Sequence, residues 1–103
     1  MQEKYKKLSV LIPVYNEKQT INECVKNVLN AKIFNMSLEV VISDNNSIDG
    51  TKEILKTITD PRVKILFQEK NKGKGSNIKN ALSHASGDII LFQDGDLEYS
   101  PDD

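Results

Sequence analysis

Leu8-Ser9-Val10-Leu11-Ile12-Pro13-Val14 is a run of strand length with little alternation between apolar and polar positions, and it breaks off at Tyr15-Asn16-Glu17. A strand with one wet face alternates with period two, whereas one rich in Val, Ile and Leu throughout belongs to a parallel sheet covered on both sides. Three further runs of this kind follow, Leu38 to Ser43, Val63 to Phe67 and Asp88 to Phe92. Between the four lie three segments of helical period. The first carries its apolar stripe at Ile21, Cys24, Val25, Val28 and Leu29, the second at Ile54, Leu55 and Ile58, and the third at Ile78, Ala81, Leu82 and Ala85. Punctuation agrees. Asn16 can cap the first helix and Ser47 or Asp49 the second, Asp60-Pro61 can end the second, and Gly87 suits the position just past the third.

The order β-α-β-α-β-α-β predicts an α/β fold with a Rossmann-like, mostly parallel sheet and helices on both faces. Right-handed crossovers leave 3-2-1-4 as the most economical strand order, with the first two helices on one face and the third on the other. The winding direction reverses between strands 1 and 4. Ligands of such sheets bind outside the carboxyl ends of the strands at this switch point.

Every polar cluster with chemical promise leaves one of those ends. After strand 4 comes Asp94-Gly95-Asp96, two carboxylates two residues apart, which reads either as a solvated turn or as a metal-binding one. Carboxylates repel a diphosphate by about 4 kcal/mol per close charge pair near a protein surface, and a divalent cation between them reverses the sign. Mg²⁺ and Mn²⁺ accept such oxygen ligands together with substrate phosphates. After strand 1, Tyr15 offers a ring to stack on a base and Glu17 an acceptor for a ribose hydroxyl or base N–H, unless the loop only leads into the helix. After strand 2, Asp44 can accept from a base imide or close an Asx turn. Asn71-Lys72-Gly73-Lys74-Gly75-Ser76 opens the third helix, and its backbone N–H groups and lysines favour an anion, although the stretch also reads as a plain flexible loop. It matches neither the dinucleotide fingerprint nor the P-loop.

The bulk properties exclude several functions. The 103 residues allow one domain or part of one, with a net charge of -1 and 14 basic residues interleaved with 15 acidic ones, so a nucleic-acid footprint is lacking. The Lys4, Lys6, Lys7 group reads as a solvated terminus. No apolar run reaches the length of a membrane span, no signal peptide is read, and the single cysteine, Cys24, lies on the first helical stripe as a buried small hydrophobe, all consistent with a cytoplasmic protein. His84 has no second His or Cys nearby and reads as a surface or boundary residue.

Four stretches in this order and spacing, Val10 to Glu17, Ser43 to Thr51, Asn71 to Gly75 and Gly87 to Glu98, resemble the family 2 inverting glycosyltransferases of the GT-A fold, most of all the dolichol-phosphate mannosyltransferase and polyprenyl-phosphate glycosyltransferase branch. The resemblance implies a UDP- or GDP-linked sugar donor and Mg²⁺ or Mn²⁺ on its diphosphate. It places Pro13, Tyr15 and Glu17 around the nucleoside, Asp44 at the base, and Asp94 and Asp96 at ribose, diphosphate and metal, with Glu98 near the metal. Many relatives carry a second Asp where this chain has Asn45. The acceptor-binding half with its general base is expected beyond Asp103, so residues 1–103 are read as the nucleotide-binding half of a longer enzyme, at the cytoplasmic face of a membrane if the acceptor is a polyprenyl phosphate. Such a half is not expected to catalyse alone, and its uncovered strand 4 is expected to self-associate. The rival readings are a sugar-phosphate nucleotidyltransferase, against which the Pro13 to Glu17 loop argues, and a degenerate nucleotide-binding or purely structural α/β module.

Overall fold

The computed structural model describes residues 6–31, 33 and 35–93, in the order β1 (Lys7–Val14), α1 (Ile21–Leu29), β2 (Ser37–Asp44), α2 (Thr51–Leu55), β3 (Val63–Phe67), α3 (Lys74–Ser83) and β4 (Ile89–Phe92). All strand pairs are parallel and the sheet order is β3-β2-β1-β4, as the sequence predicts. The register sets Val10 beside Val40 and Leu91, and Pro13 beside Ser43.

The two faces differ in chemistry. On one, Val10, Ile12, Val14, Val40 and Ile42 meet Ile21, Cys24 and Val25 of α1 and Leu55 of α2 in a fully apolar core. On the other, among the described residues, Leu11 and Val41 form a small buried apolar layer with Ala81 of α3 above them and Leu66, Ala85 and Ile90 packed at its margin. That layer is bracketed by polar groups. At the amino end of the sheet Glu39 Oε1 accepts from Ser9 Oγ at 2.6 Å and from the Ser86 backbone N–H at 2.9 Å, while Lys7 and Lys64 Nζ stand 3.5 and 3.7 Å from its Oε2. At the carboxyl end Asn77 of α3 accepts from Ser43 Oγ at 2.6 Å and donates to the Ser43 carbonyl at 2.8 Å.

Several local expectations are corrected. The third helix does not bury the stripe Ile78, Leu82: its buried residues are Asn77 and Ala81, and Leu82 is exposed. Ser43 of the sheet bonds Asn77 and Asn80, so the amide side chains turn inward there, while Ala81 packs on Leu11 and Val41. Gly87 does not stop α3, which ends at Ser83 with His84 after it. Instead it passes so close to β1 that a Cβ there would lie 2.5 Å from Ser9 Oγ and 2.7 Å from the Ser9 backbone nitrogen. The second helix ends at Leu55, ahead of Asp60-Pro61, and Asp60 instead turns back on Arg62. Asn16 does not cap α1, which begins at Ile21 after Thr20. Lys7 is no solvated end, because its Nζ donates to Ser86 Oγ at 2.6 Å and faces Glu39. Lys4 lies outside the described residues.

Candidate functional site

Three loops converge at the carboxyl edge of the sheet. The first follows β1. Asn16 takes a left-handed backbone (φ 52°), which lets its N–H donate to Ser47 Oγ at 2.8 Å while its Oδ1 accepts from the Ile48 N–H at 2.9 Å. The next N–H, of Glu17, donates to Thr51 Oγ1 at 3.0 Å, so the loop after β1 is stitched to the loop after β2. Tyr15 projects from this seam with 42% exposure, large enough to offer a ring face. The Glu17 carbonyl accepts from the Thr20 and Ile21 N–H groups at 3.1 and 2.9 Å, and its Oε2 accepts from Thr20 Oγ1 at 3.1 Å. Glu17 therefore shapes the first turn leading to α1. Pro13 sits half-buried in β1 opposite Ser43.

The second loop is organised by Asp44 and Asp49. Asp44 is fully buried, and its two oxygens accept from Ser47 Oγ at 2.5 Å and the Ser47 N–H at 3.0 Å. The local turn that sequence alone left open is thus formed, with the carboxylate at the end of β2. Asp49 accepts from the Thr51 N–H at 3.0 Å and from Thr51 Oγ1, and so serves the start of α2, while Ser47 is spent on Asn16 and Asp44. Burial raises the Asp49 carboxyl, but the bonds from Thr51 and Lys18 outweigh it and hold it below the ordinary carboxylate range. Asn46 is left-handed (φ 63°) and accepts from Lys52 Nζ at 2.5 Å.

The third loop runs from β3 into α3. Gln68 Nε2 donates to Asn77 Oδ1 at 2.7 Å and Asn45 Oδ1 at 3.2 Å, and the Gln68 N–H donates to the Asp44 carbonyl at 2.9 Å. Gly73, at φ 93°, turns the chain into Lys74, the first residue of α3. Among the residues expected at the site, Pro13, Tyr15, Glu17 and Asp44 lie on these loops or the strand ends that feed them, and Lys74 opens α3 where the third loop ends. Asp94, Asp96 and Glu98 lie outside the described residues. The last described residue, Gln93, donates its N–H to the Leu11 carbonyl at 2.9 Å, beside β1. Among the described residues no group of three or more His, Cys, Asp or Glu is placed to hold a metal ion.

Sequence reasoning gave Asn16 and Ser47 only as helix caps and Asn71 only as part of an anion-favouring loop, and it missed Thr51, Gln68 and Asn77, which with them tie the loops together. The signal was there in part, since a Thr and an Asn on helices otherwise reading as amphipathic faces are buried polar groups in need of partners.

A parallel sheet that reverses its winding beside polar loops at its carboxyl edge is the arrangement of nucleotide-binding α/β domains. The chain belongs to Glycosyl transferase family 2, whose pattern it matches over residues 9–103, and its fold is that of the GT-A glycosyltransferases. It is 33% identical over 97 residues to the dolichol-phosphate mannosyltransferase of Pyrococcus furiosus, covering 93% of this chain and 27% of that protein. Among solved structures it is similar to S. aureus TarS 1-349 in complex with UDP-GlcNAc, at TM-score 0.78 and 32% identity over 87% of this chain and 26% of that one. It is also similar to the mannosyltransferase PcManGT of Pyrobaculum calidifontis in complex with GDP-Man and Mn²⁺, at TM-score 0.74 and 30% identity over 86% of this chain and 27% of that one. The chain thus spans less than a third of the length of these relatives.

Proposed function

We propose that this chain is the donor-binding half of an inverting glycosyltransferase, holding a UDP- or GDP-linked sugar at the carboxyl edge with a divalent cation, Mg²⁺ or Mn²⁺. The observation that carries this reading is the stitching of the Tyr15, Asp44 and Gly73 loops into one polar edge beside the switch point. We assign Pro13, Tyr15 and Glu17 to the nucleoside, and Asp44, whose buried carboxylate sets the Ser47 turn, to the base side of that edge. Lys74 meets the phosphates. The cation falls to Asp94 and Asp96, with Glu98 nearby, which follow directly on the Gln93 to Leu11 bond at the end of β4. When bound there, the cation takes up charge on the diphosphate leaving group. The chain's own part is to orient the donor so that an acceptor oxygen can reach the anomeric carbon from the opposite side. A polyprenyl phosphate is our proposed acceptor, because it is already ionised and needs little help from a base; a saccharide hydroxyl is the other candidate. The acceptor-binding half and any general base belong to sequence outside residues 1–103.

The test is the melting temperature with UDP or GDP, with and without Mn²⁺. Ligand at about ten times Kd adds roughly 1.4 kcal/mol, several degrees for a domain of this size. Asp96→Asn is expected to abolish the metal-dependent part, since an amide keeps an oxygen but loses the charge. Tyr15→Ala is expected to weaken binding equally with and without metal. Equal shifts in wild type and Asp96→Asn would return Asp94-Gly95-Asp96 to a solvated turn, and no shift with either nucleotide would favour the non-catalytic module.

A further inference from the structure

Asn45 stands next to Asp44 but does other work. It is 4% exposed, and its backbone N–H donates to the Val14 carbonyl at 2.8 Å, which fixes it between β1 and β2. Its side chain turns to the third loop. Nδ2 donates to Asn71 Oδ1 at 2.9 Å, and Oδ1 accepts from the Lys72 backbone N–H and from Gln68 Nε2, both at 3.2 Å. Asn71 Oδ1 in turn accepts from the Gly73 N–H at 2.9 Å. One carboxamide thus reaches three residues of the segment that ends at Gly73 and delivers Lys74. Few side chains of this size both donate and accept in fixed directions. A carboxylate would keep the bonds from Lys72 and Gln68 but would set an acceptor against Asn71 Oδ1.

We propose that Asn45 is a positioning residue for the phosphate side of the donor site: its carboxamide clamps segment 71–74 to the end of β2, so that the nucleoside side (Tyr15, Asp44) and the phosphate side (Gly73, Lys74) of the edge form one rigid unit. This rests on the donor-site reading above and adds to it a residue that acts by holding the third loop.

The experiment compares wild type, Asn45→Ala and Asn45→Asp. Amide exchange is read by NMR at Lys72, with Ala81 and Leu82 in the same helix as controls for global opening. Affinity is read for UDP and GDP with Mn²⁺ and for uridine and guanosine. In Asn45→Ala, exchange at Lys72 is expected to rise about five- to tenfold, with the Ala81 and Leu82 amides unchanged. Diphosphate affinity is expected to fall about tenfold while nucleoside affinity changes less than about twofold. Asn45→Asp is expected to retain protection at Lys72, because its acceptor remains. Unchanged exchange at Lys72 in Asn45→Ala would overturn the clamp. So would an equal fall in nucleoside and nucleotide affinity, which would mark Asn45 as a base contact. If wild type binds neither nucleotide, the donor-site reading fails, and the exchange data still decide whether Asn45 holds the segment.

Discussion

Gly87 leaves no room for a side chain, and the obstacle is partly backbone. Its Cβ would meet the Ser9 nitrogen at 2.7 Å and the Lys7 carbonyl at 3.0 Å, and neither can swing aside without moving β1. The close approach also lets the Gly87 N–H donate to Ser9 Oγ at 2.8 Å. Gly87→Ala is therefore expected to cost about 1–3 kcal/mol, the usual range for overpacking. Gly75 gives the contrasting case, since it lies in α3 with open space around its missing Cβ. Gly75→Ala is expected to stabilise by about 0.5–1 kcal/mol through helix propensity. Urea unfolding of both variants checks the pair, and a loss on both or a gain on both would refute the packing argument.

The elements that sequence made legible are those whose burial is apolar. β1 and β2 declared themselves by runs rich in Val, Leu and Ile, and the α1 stripe by spacing, and these form the larger core. The polar face of the sheet was not legible. Ser9 on β1, Glu39 and Ser43 on β2, and Asn77 on α3 come from separate elements, and their pairing is invisible until the strand register and the packing of α3 bring them together. The same limit explains the site: the loops were found because strand ends are visible, whereas the ties from Asn16 to Ser47 and from Asn45 to Asn71 depend on which loops meet. The α3 face carries its own prediction. Burial pushes the Glu39 carboxyl up, but the bonds from Ser9 and Ser86 and the nearby Lys7 outweigh it and bring it from 4.5 down to about 2. A folded value below the unfolded one means that the ionised form stabilises the fold. That stabilisation, on the order of 3 kcal/mol at most, is complete above about pH 4.5 and is lost as pH falls towards 2. Asp49 and Asp60 also lie low, so the measurement is the difference between wild type and Glu39→Gln, followed by chemical unfolding from pH 6 to pH 2.5. The difference should shrink across that window, and a constant difference would show that Glu39 titrates normally.

At the scale of the whole molecule, the β4 side of the sheet shows apolar surface. Leu91 and Phe92 are more than half exposed. A groove of about 430 Å³ runs beside Leu91, lined by Leu8, Val10, Cys24, Val28 and Leu38. Isolated monomers seldom leave such patches open, so light scattering of the purified chain is expected to show concentration-dependent association at high concentration; a clean monomer throughout would remove that expectation. The placement of β1 at the centre of an all-parallel sheet also governs how the molecule assembles. Its partner on one side is β2, roughly thirty residues on, but on the other side Leu8 pairs with Ile89. Closing a loop of that span is entropically slow to reward, and chains built on such distant pairings fold slowly. During synthesis, therefore, β1 must wait with one edge unpaired until β4 has left the ribosome. The edge left waiting is the one that runs from Leu8 to Leu11, against which Ile89 to Phe92 are finally laid down.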